Sequence, residues 1–449
     1  MKNIANKLTN EEYENNFAEL HPPLTKNSAV AEANRCLYCY DSPCMKACPT
    51  HIDISAFIKK IATDNLLGSA KTIFKSNWVP LTCAKACPVE ELCEGACVFV
   101  EKGETPIEIG RLQRFAIESY FNSNLPQLFP QKNKNGKSVG IIGSGPAGLA
   151  CGAELSLLGY DVNIYEANKI PGGLNTWGIA PYKLRQADSL KEVEFIKSLG
   201  VKISTGIKVG DTILFEEIYN KHDAVFIGIG LDDATRLRIP GEELTGVVNA
   251  LDFIEEVKNE KWSDVNVGKR VAVIGAGNTS IDAVTEAKRL GAEKVYIIYR
   301  RDADDMSAYD FEYEIAKSDE VIFHFKTMPK RIIGEKFVEG IECVKIELGK
   351  KNEKDKREII VIPNSEFILP VDMVIKAVGQ NLNKSFLNTV EGIKIDKVKV
   401  VVDSETYQTD NNKIFAGGDC INGGKEVVNA AYEGKMAAYG IDNFLLKKS

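Results

Sequence analysis

The same strand–turn–helix–strand pattern occurs twice in this 449-residue chain. The first copy starts at Ser138 with SVGIIG, continues through the helical segment GPAGLACGAELSLLG and ends in DVNIYE. The second starts at Arg270 with RVAVIG, continues through AGNTSIDAVTEAKRLGA and ends in KVYIIYR. Each copy is typical of a nucleotide-binding βαβ unit. Because the copies lie about 130 residues apart, far beyond the period of a solenoid repeat, the sequence predicts two Rossmann-like α/β domains.

The first copy carries a complete glycine fingerprint for a dinucleotide. Its first glycine permits a tight turn, its second lets a pyrophosphate approach the backbone, and its third lets helix and strand pack closely. Glu166, at the end of the next strand, is placed to bind a ribose hydroxyl. A glycine-rich turn beside a surface glutamate would not explain this combination. The fingerprint residues are Gly143, Ser144, Gly145, Pro146, Ala147 and Gly148.

The second copy differs at the end of its second strand. Where the first copy has an acid, the second has Arg300 and Arg301. Guanidinium groups suit a 2′-phosphate and therefore favour NADPH. Paired arginines also occur as solvated surface charge or as adenine-stacking groups, so NADPH and NADH both stay open. The second fingerprint reads Gly275, Ala276, Gly277, Asn278, Thr279 and Ser280.

Two dinucleotide sites in one chain favour a bound FAD and a visiting nicotinamide. Hydride then passes from nicotinamide C4 to flavin N5 without a general base from the protein, so no catalytic side chain is predicted. Many flavoproteins of this layout carry a CxxxxC or CxxC redox pair, and neither is present near the fingerprints of this sequence. Cys151, Cys343 and Cys420 are isolated and are predicted to be packed core residues.

Eight of the 11 cysteines lie between Cys36 and Cys97. They form two runs, C-x2-C-x4-C-x3-C-P from Cys36 and C-x3-C-P-x4-C-x3-C from Cys83. The first run is close to the bacterial ferredoxin run, whose last cysteine serves the other of two [4Fe-4S] clusters. Zinc is the alternative, but zinc sites usually close with a second C-x2-C or a histidine pair, which His21 and His51 do not supply. The spacing therefore favours two clusters.

Composition excludes several classes of partner. The balance of 56 basic against 63 acidic residues gives a net charge of −7, which does not attract nucleic acid or an anionic membrane. No apolar stretch reaches the roughly 18 residues of a membrane span, and the first residues lack the pattern of a secretory signal. We therefore expect a cytoplasmic protein, in which a disulfide framework would be unusual.

The order of patterns predicts a multi-domain chain. Apolar residues recur at helical spacing around the cysteines, and a polar stretch, FNSNLPQLFPQKNKNGK, follows as a linker. The two α/β domains come next. The family resemblance described below implies that the nicotinamide domain is inserted into the FAD domain, which agrees with this order. The predicted segments are a helical iron–sulphur domain (1–125), the FAD domain's first part (137–242), the NAD(P) domain (243–368) and the FAD domain's second part (369–449).

The residues around the cysteines resemble one enzyme family. The run after Cys36 with PTHIDISAFIKKI, then LTCAKACPVEELCEGACV and PIEIGRLQRFAIES, resembles the amino-terminal half of dihydropyrimidine dehydrogenase, and most of all the separate NAD(P)H-accepting subunit of its bacterial form. The similarity continues through VGIIGSGPAGLA, VAVIGAGNTSIDA and IFAGGDC. The same superfamily contains the small subunit of glutamate synthase. PTHIDI and GRLQRFA favour the pyrimidine enzyme.

The resemblance implies specific ligands for two [4Fe-4S] clusters. It makes Cys83 a non-ligand and places Gln113 where a fourth cysteine would stand. The opposite assignment, with Cys83 as the ligand and Gln113 as a helix-surface amide, stays open. The implied ligands are Cys36, Cys39, Cys44 and Cys97 for the first cluster, and Cys48, Cys87, Cys93 and Gln113 for the second.

The resemblance also implies which residues hold the dinucleotides. FAD would lie along the first fingerprint and along a second and a third glycine-containing segment. The implied FAD residues are Gly143 to Gly148, Glu166, Gly172, Gly173, Leu174, Gly418 and Asp419. The implied nicotinamide residues are Ala276, Gly277, Asn278, Thr279, Arg300, Arg301, and Ala377 to Gly379.

The predicted function is electron input. NAD(P)H would reduce FAD, FAD would reduce the clusters one electron at a time, and an FMN-containing partner subunit would reduce uracil or thymine. This chain has no counterpart of that pyrimidine-reducing half. The alternatives are the electron-donating subunit of glutamate synthase or a related NAD(P)H:acceptor oxidoreductase, a redox-sensing binding protein and a zinc-stabilised scaffold.

Overall fold

The computed structural model describes residues 1, 3–123, 126–351 and 357–447. Two compact units make up the chain. We name them the nicotinamide unit, which contains the second fingerprint, and the flavin unit, which contains the cysteine runs and the first fingerprint. The nicotinamide unit consists of Met1–Glu19, Trp177–Tyr182 and Ala234–Gln380, and the flavin unit of Leu20–Thr176, Lys183–Asp233 and Asn381–Ser449.

The cysteine-bearing part is helical, as predicted. Helix α4 shows why, because Ile54, Phe57, Ile58 and Ile61 recur at helical spacing and are all buried, and the N-cap Asp53 accepts a hydrogen bond from the amide of Ala56 at 3.0 Å. The helices up to the linker are α1 (Asn10–Asn16), α2 (Lys26–Arg35), α3 (Pro43–Ala47), α4 (Ile54–Ala62), α5 (Leu66–Phe74), α6 (Pro80–Ala86), α7 (Val98–Glu101) and α8 (Ile109–Phe121).

The first fingerprint opens a five-stranded parallel sheet in the order β18-β4-β1-β2-β3. The strand order reverses at β1, and in such sheets ligands bind at the carboxyl ends of the strands beside this point. The elements of the first part are β1 (Ser138–Ile142), α9 (Pro146–Leu157), β2 (Asp161–Tyr165), α10 (Leu174–Trp177), α11 (Gln186–Ser198), β3 (Lys202–Ser204), α12 (Phe215–Lys221) and β4 (Ala224–Ile227).

The second fingerprint opens another five-stranded parallel sheet, in the order β6-β14-β7-β8-β9, beside a smaller antiparallel sheet of β10 to β13. The elements of this stretch of the chain are β5 (Asp233–Ala234), β6 (Val247–Asn249), α13 (Ala250–Asn259), β7 (Arg270–Ile274), α14 (Asn278–Arg289), β8 (Lys294–Ile298), a 3-10 turn (Ala303–Asp305), α15 (Asp310–Ser318), β9 (Ile322–His324), β10 (Thr327–Ile333), β11 (Gly340–Lys351), β12 (Arg357–Val361), β13 (Phe367–Leu369), β14 (Met373–Lys376) and β15 (Gln380–Asn381). Of these, β5 and β15 pair with each other outside both sheets.

The chain then returns to the flavin unit. One continuous apolar core joins its helical part to its sheet, running from Phe57 and Phe74 to Ile141 and Ile164. Among the described helices, none combines the length and apolar composition needed to cross a bilayer. The last elements are α16 (Lys384–Leu387), β16 (Ile395–Asp396), β17 (Lys399–Val400), β18 (Ile414–Ala416), α17 (Asp419–Asn422) and α18 (Val427–Lys447).

Candidate cofactor sites

The first fingerprint lies between β1 and α9, and its glycines serve different purposes. Gly143 has a φ of +96°, and a Cβ there would lie 2.5 Å from the carbonyl oxygen of Gly228. A Cβ on Gly148 would lie 2.0 Å from the carbonyl oxygen of Gly143. At Gly145, by contrast, no heavy atom of the described residues lies within 4 Å of the Cβ position. The backbone is therefore open where a pyrophosphate would meet the first amides of α9.

Glu166 is oriented by the fingerprint itself. Its Oε2 accepts hydrogen bonds from the amide of Ser144 at 2.8 Å and from its hydroxyl at 2.5 Å. Its Oε1 accepts a hydrogen bond from the amide of Asn168 at 2.8 Å. The Ser144 hydroxyl in turn accepts one from the amide of Gly172 at 2.9 Å. Since a carboxylate has about four acceptor positions, the held group can still accept a ribose hydroxyl.

The other predicted flavin segments meet the beginning of α9. A Cβ on Gly173 would lie 2.7 Å from the Cα of Gly145, and one on Gly418 would lie 2.9 Å from the Cβ of Ala147. Gly418 and Asp419 form the start of α17, and burial raises the pKa of the Asp419 carboxyl. The predicted residues at this sheet edge are Gly143 to Gly148, Glu166, Gly172, Gly173, Leu174, Gly418 and Asp419.

The sequence did not reveal two further residues at this edge, Glu433 and Gly434 on α18. Glu433 Oε2 accepts a hydrogen bond from the amide of Gly418 at 2.8 Å. A Cβ on Gly434 would lie 2.0 Å from the carbonyl oxygen of Ala147, so α18 packs directly on the first turn of α9. A glycine inside a helical pattern is the one signal that could have indicated this close approach. The donor and acceptor set at this edge fits FAD.

The second fingerprint lies between β7 and α14 and adjoins the loop after β14. Gly275 has a φ of +128°, and a Cβ there would lie 2.2 Å from the carbonyl oxygen of Ala377. The hydroxyl of Ser280 donates a hydrogen bond to the same carbonyl at 3.4 Å. Gly379 has a φ of +96°, with no described heavy atom within 4 Å of its Cβ position. The structure thus brings the two predicted nicotinamide segments together.

A segment outside the prediction also meets this fingerprint. The amide of Tyr309 donates a hydrogen bond to Asn278 Oδ1 at 3.2 Å, and the amide of Ala308 donates one to the carbonyl oxygen of Ala276 at 3.2 Å. Asn278 and Thr279 form the first turn of α14. This turn, at the N-terminus of α14, fits a pyrophosphate.

Arg300 and Arg301 follow β8, at the same sheet edge as the second fingerprint, and both are exposed. In the first sheet, Glu166 directly follows β2, whereas Tyr299 separates Arg300 from β8. Exposed guanidinium groups at this place can meet a 2′-phosphate. They are equally compatible with NADH and a solvated surface.

The cysteines of the first predicted cluster lie near one another. Burial raises the pKa of the Cys36 thiol, and neighbouring Cys39 and Cys97 raise it further. Burial also raises the pKa of Cys44 to about 12, with further contributions from Cys36 and Cys97. Cys36 is the C-cap of α2 and Cys97 the N-cap of α7. The end of α2 and the start of α7 therefore bring Cys36 of the first run near Cys97 of the second, with Cys39 and Cys44 beside them.

The cysteines of the second predicted cluster form a neighbouring group. A hydrogen bond with Cys83, together with burial, raises the pKa of Cys87 well above its ordinary value, and Cys48 and Cys93 add to this. Burial raises the pKa of Cys93, and both Cys48 of the second group and Cys44 of the first raise it further, so the two groups adjoin. Metal binding would displace these protons, because thiolates are the ligands.

Both candidates for the fourth ligand of the second group are present. Cys83 contacts Cys87 directly and is buried. Gln113 on α8 is also buried, and its Nε2 donates a hydrogen bond to the carbonyl oxygen of Pro80 at 2.7 Å. Only the carbonyl oxygen of its amide is then left for a metal. The fourth ligand stays a prediction.

The thiol arrangement fits iron–sulphur clusters. A [4Fe-4S] cluster is held by cysteine thiolates. The described thiols lie in two adjoining groups, one for each predicted cluster.

Comparison with known proteins identifies the family. A family model described as dihydropyrimidine dehydrogenase domain II, 4Fe-4S cluster, matches residues 13–125. A second model, described as pyridine nucleotide-disulphide oxidoreductase, matches residues 137–434. The chain belongs to the pyridine nucleotide-disulphide oxidoreductase family.

Curated members of the family match nearly the whole chain. The small chain of glutamate synthase [NADPH] from Halomonas elongata is 34% identical over 442 residues, which is 96% of this chain and 93% of that protein. The NAD-dependent dihydropyrimidine dehydrogenase subunit PreT from Escherichia coli is 32% identical over 432 residues, 96% of this chain and 98% of that protein. The Mycobacterium tuberculosis FprA structure in complex with NADPH shares the fold, with a TM-score of 0.58, 18% identity and coverage of 69% of this chain and 85% of that one.

These matches confirm the predicted fold class, the family resemblance and the reaction class. This family member is an NAD(P)-dependent oxidoreductase with FAD and [4Fe-4S] clusters. The ligand set, the dinucleotide-binding residues and the boundaries 1–125, 137–242, 243–368 and 369–449 stay predictions. Met1–Glu19 and Trp177–Tyr182 of the nicotinamide unit lie outside the segment 243–368.

Proposed function

We propose that this chain is the electron-input subunit of a dihydropyrimidine dehydrogenase. It takes electrons from NAD(P)H and delivers them through two [4Fe-4S] clusters to an FMN-containing partner subunit, which reduces uracil or thymine to the 5,6-dihydropyrimidine. Bound FAD would supply the conversion between hydride transfer and single-electron transfer. The chain's own residues bind and orient the dinucleotides and hold the clusters.

The observation that carries this proposal is the combination of two dinucleotide cradles with two adjoining cysteine groups. The three cysteines outside these groups do not form a redox-active thiol pair that could pass electrons on. Cys151 lies on α9, Cys343 on β11 and Cys420 on α17, and each is fully buried. Electrons therefore leave by the clusters, and the partner subunit would use them.

Glutamate synthase is the second candidate. Its small chain is matched at 34% identity, against 32% for the dihydropyrimidine dehydrogenase subunit, and this difference is too small to select a partner. The segments PTHIDI and GRLQRFA support the pyrimidine enzyme. The test therefore includes both partners.

The experiment uses the full chain purified anaerobically with FAD and iron bound. It should reduce ferricyanide with NADH or NADPH, and it should oxidise NAD(P)H in the presence of uracil only when an FMN-containing pyrimidine reductase subunit is added. Failure of the loaded chain with both nicotinamides would exclude electron input altogether. Glutamate formation with a glutamate synthase large subunit, without uracil-dependent turnover, would move the assignment to the second candidate.

A further inference from the structure

Helix α6, which begins the second cysteine run, has no N-terminal cap of its own. It begins at Pro80, and its N-cap position is held by Val79, whose side chain cannot accept a hydrogen bond. The first amides of such a helix need an acceptor, because they have no intrahelical partner. Leu81 and Thr82, which carry these amides, are fully buried, so water cannot serve.

Glu192 supplies the acceptor from another helix. It lies on α11, more than 100 residues along the chain and in the part that follows the first fingerprint. Its Oε1 accepts hydrogen bonds from the amide of Leu81 at 2.5 Å and from that of Thr82 at 3.2 Å. Its Oε2 accepts one from the Thr82 hydroxyl at 2.5 Å. The Glu192 side chain is only 1% exposed, so this cap is a buried contact between α11 and α6.

The same helix α11 also holds the other end of α6. Lys85, in the last turn of α6, forms an ion pair with Asp188 at 2.5 Å, and the two side chains are 3% and 10% exposed. Asp188 lies one turn before Glu192 on α11. Burial alone would raise the pKa of Asp188, but the hydrogen bond from Lys85 lowers it, so the carboxylate is held charged. Glu192 and Asp188, one turn apart on α11, therefore bind α6 at its first and its last turn.

Helix α6 carries part of the second cysteine group. Cys83 lies within α6 and Cys87 is its C-cap. Gln113 is tied to the same first turn, through its hydrogen bond to the carbonyl oxygen of Pro80. Any movement of α6 would thus move the predicted ligand Cys87. It would also move Cys83 and Gln113, the two candidates for the fourth ligand.

We propose that Glu192 and Asp188 are positioning residues for the second cluster. They hold α6 against the flavin-binding part of the chain, and they set the placement and hence the reduction potential of the cluster bound at Cys48, Cys87 and Cys93. This role rests on the proposed function in that it assumes clusters at the two cysteine groups. Potentials respond to ligand geometry and to hydrogen bonding around the sulphurs.

The test compares Glu192→Ala, Glu192→Gln and Asp188→Asn with a matched control, Glu194→Gln. Glu194 lies on the same helix, but its side chain is 66% exposed and pairs only with Lys197 among the ion pairs of the described residues. Iron, FAD content and electron paramagnetic resonance spectra are measured during redox titration with dithionite. A Cys93→Ser variant identifies the signal of the second cluster.

We expect the signal and midpoint potential of the second cluster to shift in the Glu192 and Asp188 variants, most in Glu192→Ala and least in Glu192→Gln, which keeps a carbonyl acceptor. The first cluster, the FAD content and the Glu194→Gln control should not change. Unchanged spectra and potentials in all variants would overturn the proposal. So would equal loss of FAD and of both clusters in Glu192→Gln, which would indicate general destabilisation.

These readouts need neither nicotinamide nor a partner protein. A wild-type chain that holds two clusters but fails to oxidise NAD(P)H would therefore contradict the proposed function and leave this experiment valid. A chain without two clusters would contradict both.

Discussion

Two glycines of the first fingerprint, three residues apart, have opposite surroundings. A Cβ on Gly148 would lie 2.0 Å from a backbone carbonyl oxygen, whereas the Cβ position of Gly145 is open among the described residues. Gly145 also has an ordinary φ of −64°, so alanine is compatible with its backbone. Gly148 is therefore required for packing, whereas Gly145 is predicted to lie against the ligand.

We expect Gly145→Ala to fold and to lose FAD, because the added methyl group lies where the pyrophosphate approaches. Gly148→Ala should lower the free energy of unfolding by roughly 1–3 kcal/mol, as overpacking does, and should reduce soluble yield. Flavin absorbance and thermal unfolding of the apoprotein distinguish the two. A Gly145→Ala protein with full FAD content would show that the cofactor does not approach this turn.

The buried side chain of His222 should lower the free energy of unfolding in acid. It is 3% exposed, and its ring nitrogens lie 2.9 Å from the hydroxyl of Tyr165 and 3.2 Å from that of Ser138. Burial, and then the charge of Lys221, lower its pKa to about 4. The folded state therefore binds this proton less tightly than the unfolded state, whose pKa is about 6.5.

The contribution of His222 should be complete above about pH 6.5 and should be lost as the pH falls toward 4, at up to about 1.4 kcal/mol per pH unit. Denaturant unfolding between pH 7.5 and 5 measures this slope. His222→Gln should flatten it, since glutamine keeps a donor and an acceptor without titrating. An unaltered slope in the variant would assign the acid sensitivity to other groups.

At this scale, the sequence predicted what local backbone geometry dictates. Gly143 needs a positive φ and Gly148 needs the absence of a Cβ, and both requirements are visible in a short motif. Glu433 could not be predicted in the same way. Its partner, the amide of Gly418, is placed by the packing of α18 on α9, and no pattern around Glu433 reports a contact of that kind.

Among the elements, the end of β8 is where the choice between NADPH and NADH can be tested. If Arg300 and Arg301 bind a 2′-phosphate, replacing both with alanine should raise KM for NADPH about tenfold or more, since roughly 1.4 kcal/mol is lost per factor of ten. KM for NADH should stay unchanged. Lys294→Ala, at the exposed amino end of the same strand, is the control. Equal effects on both nicotinamides would remove the arginines from this role.

The two candidates for the fourth ligand of the second cluster lie on different helices, Cys83 on α6 and Gln113 on α8. Gln113→Ala should change one of the two electron paramagnetic resonance signals, while Cys83→Ser should keep the full iron content. The reason is that the family resemblance makes Gln113 the ligand. Loss of about half of the iron in Cys83→Ser, as expected for one of two four-iron clusters, would show that Cys83 ligates instead.

The helices themselves were predictable where an apolar stripe repeats, as in α4. The grouping of the cysteines was only partly so. Spacing alone treats all eight cysteines alike, because the two groups mix both runs, with Cys97 joining Cys36 and Cys48 joining Cys87. That exchange depends on where α2, α3 and α6 end and where α7 begins.

For the molecule as a whole, the repeat of the βαβ pattern predicted two nucleotide-binding sheets, and each fingerprint opens one of them. The inclusion of residues 1–19 in the nicotinamide unit could not be predicted. It rests on contacts across more than 240 residues, such as the stacking of Phe17 on Trp262 with ring centroids 4.5 Å apart. Contacts between residues so far apart along the chain cannot be recognised from the local amino-acid composition.

The helical part and the sheet of the flavin unit should not fold separately. Phe74 of α5 packs on Phe195 of α11 with ring centroids 4.4 Å apart, and Trp78 donates a hydrogen bond to Glu154 at 2.9 Å. A fragment ending at residue 125 would expose these rings to water. We expect it to be insoluble or to lack cooperative thermal unfolding by circular dichroism. A fragment that melts cooperatively would contradict this.

The shared core of the flavin unit has a consequence for how its cofactors are lost. Because the cysteine-bearing helices and the sheet share one apolar core, neither part can unfold without exposing the core of the other. We therefore expect heating to release iron and flavin in a single step rather than one after the other.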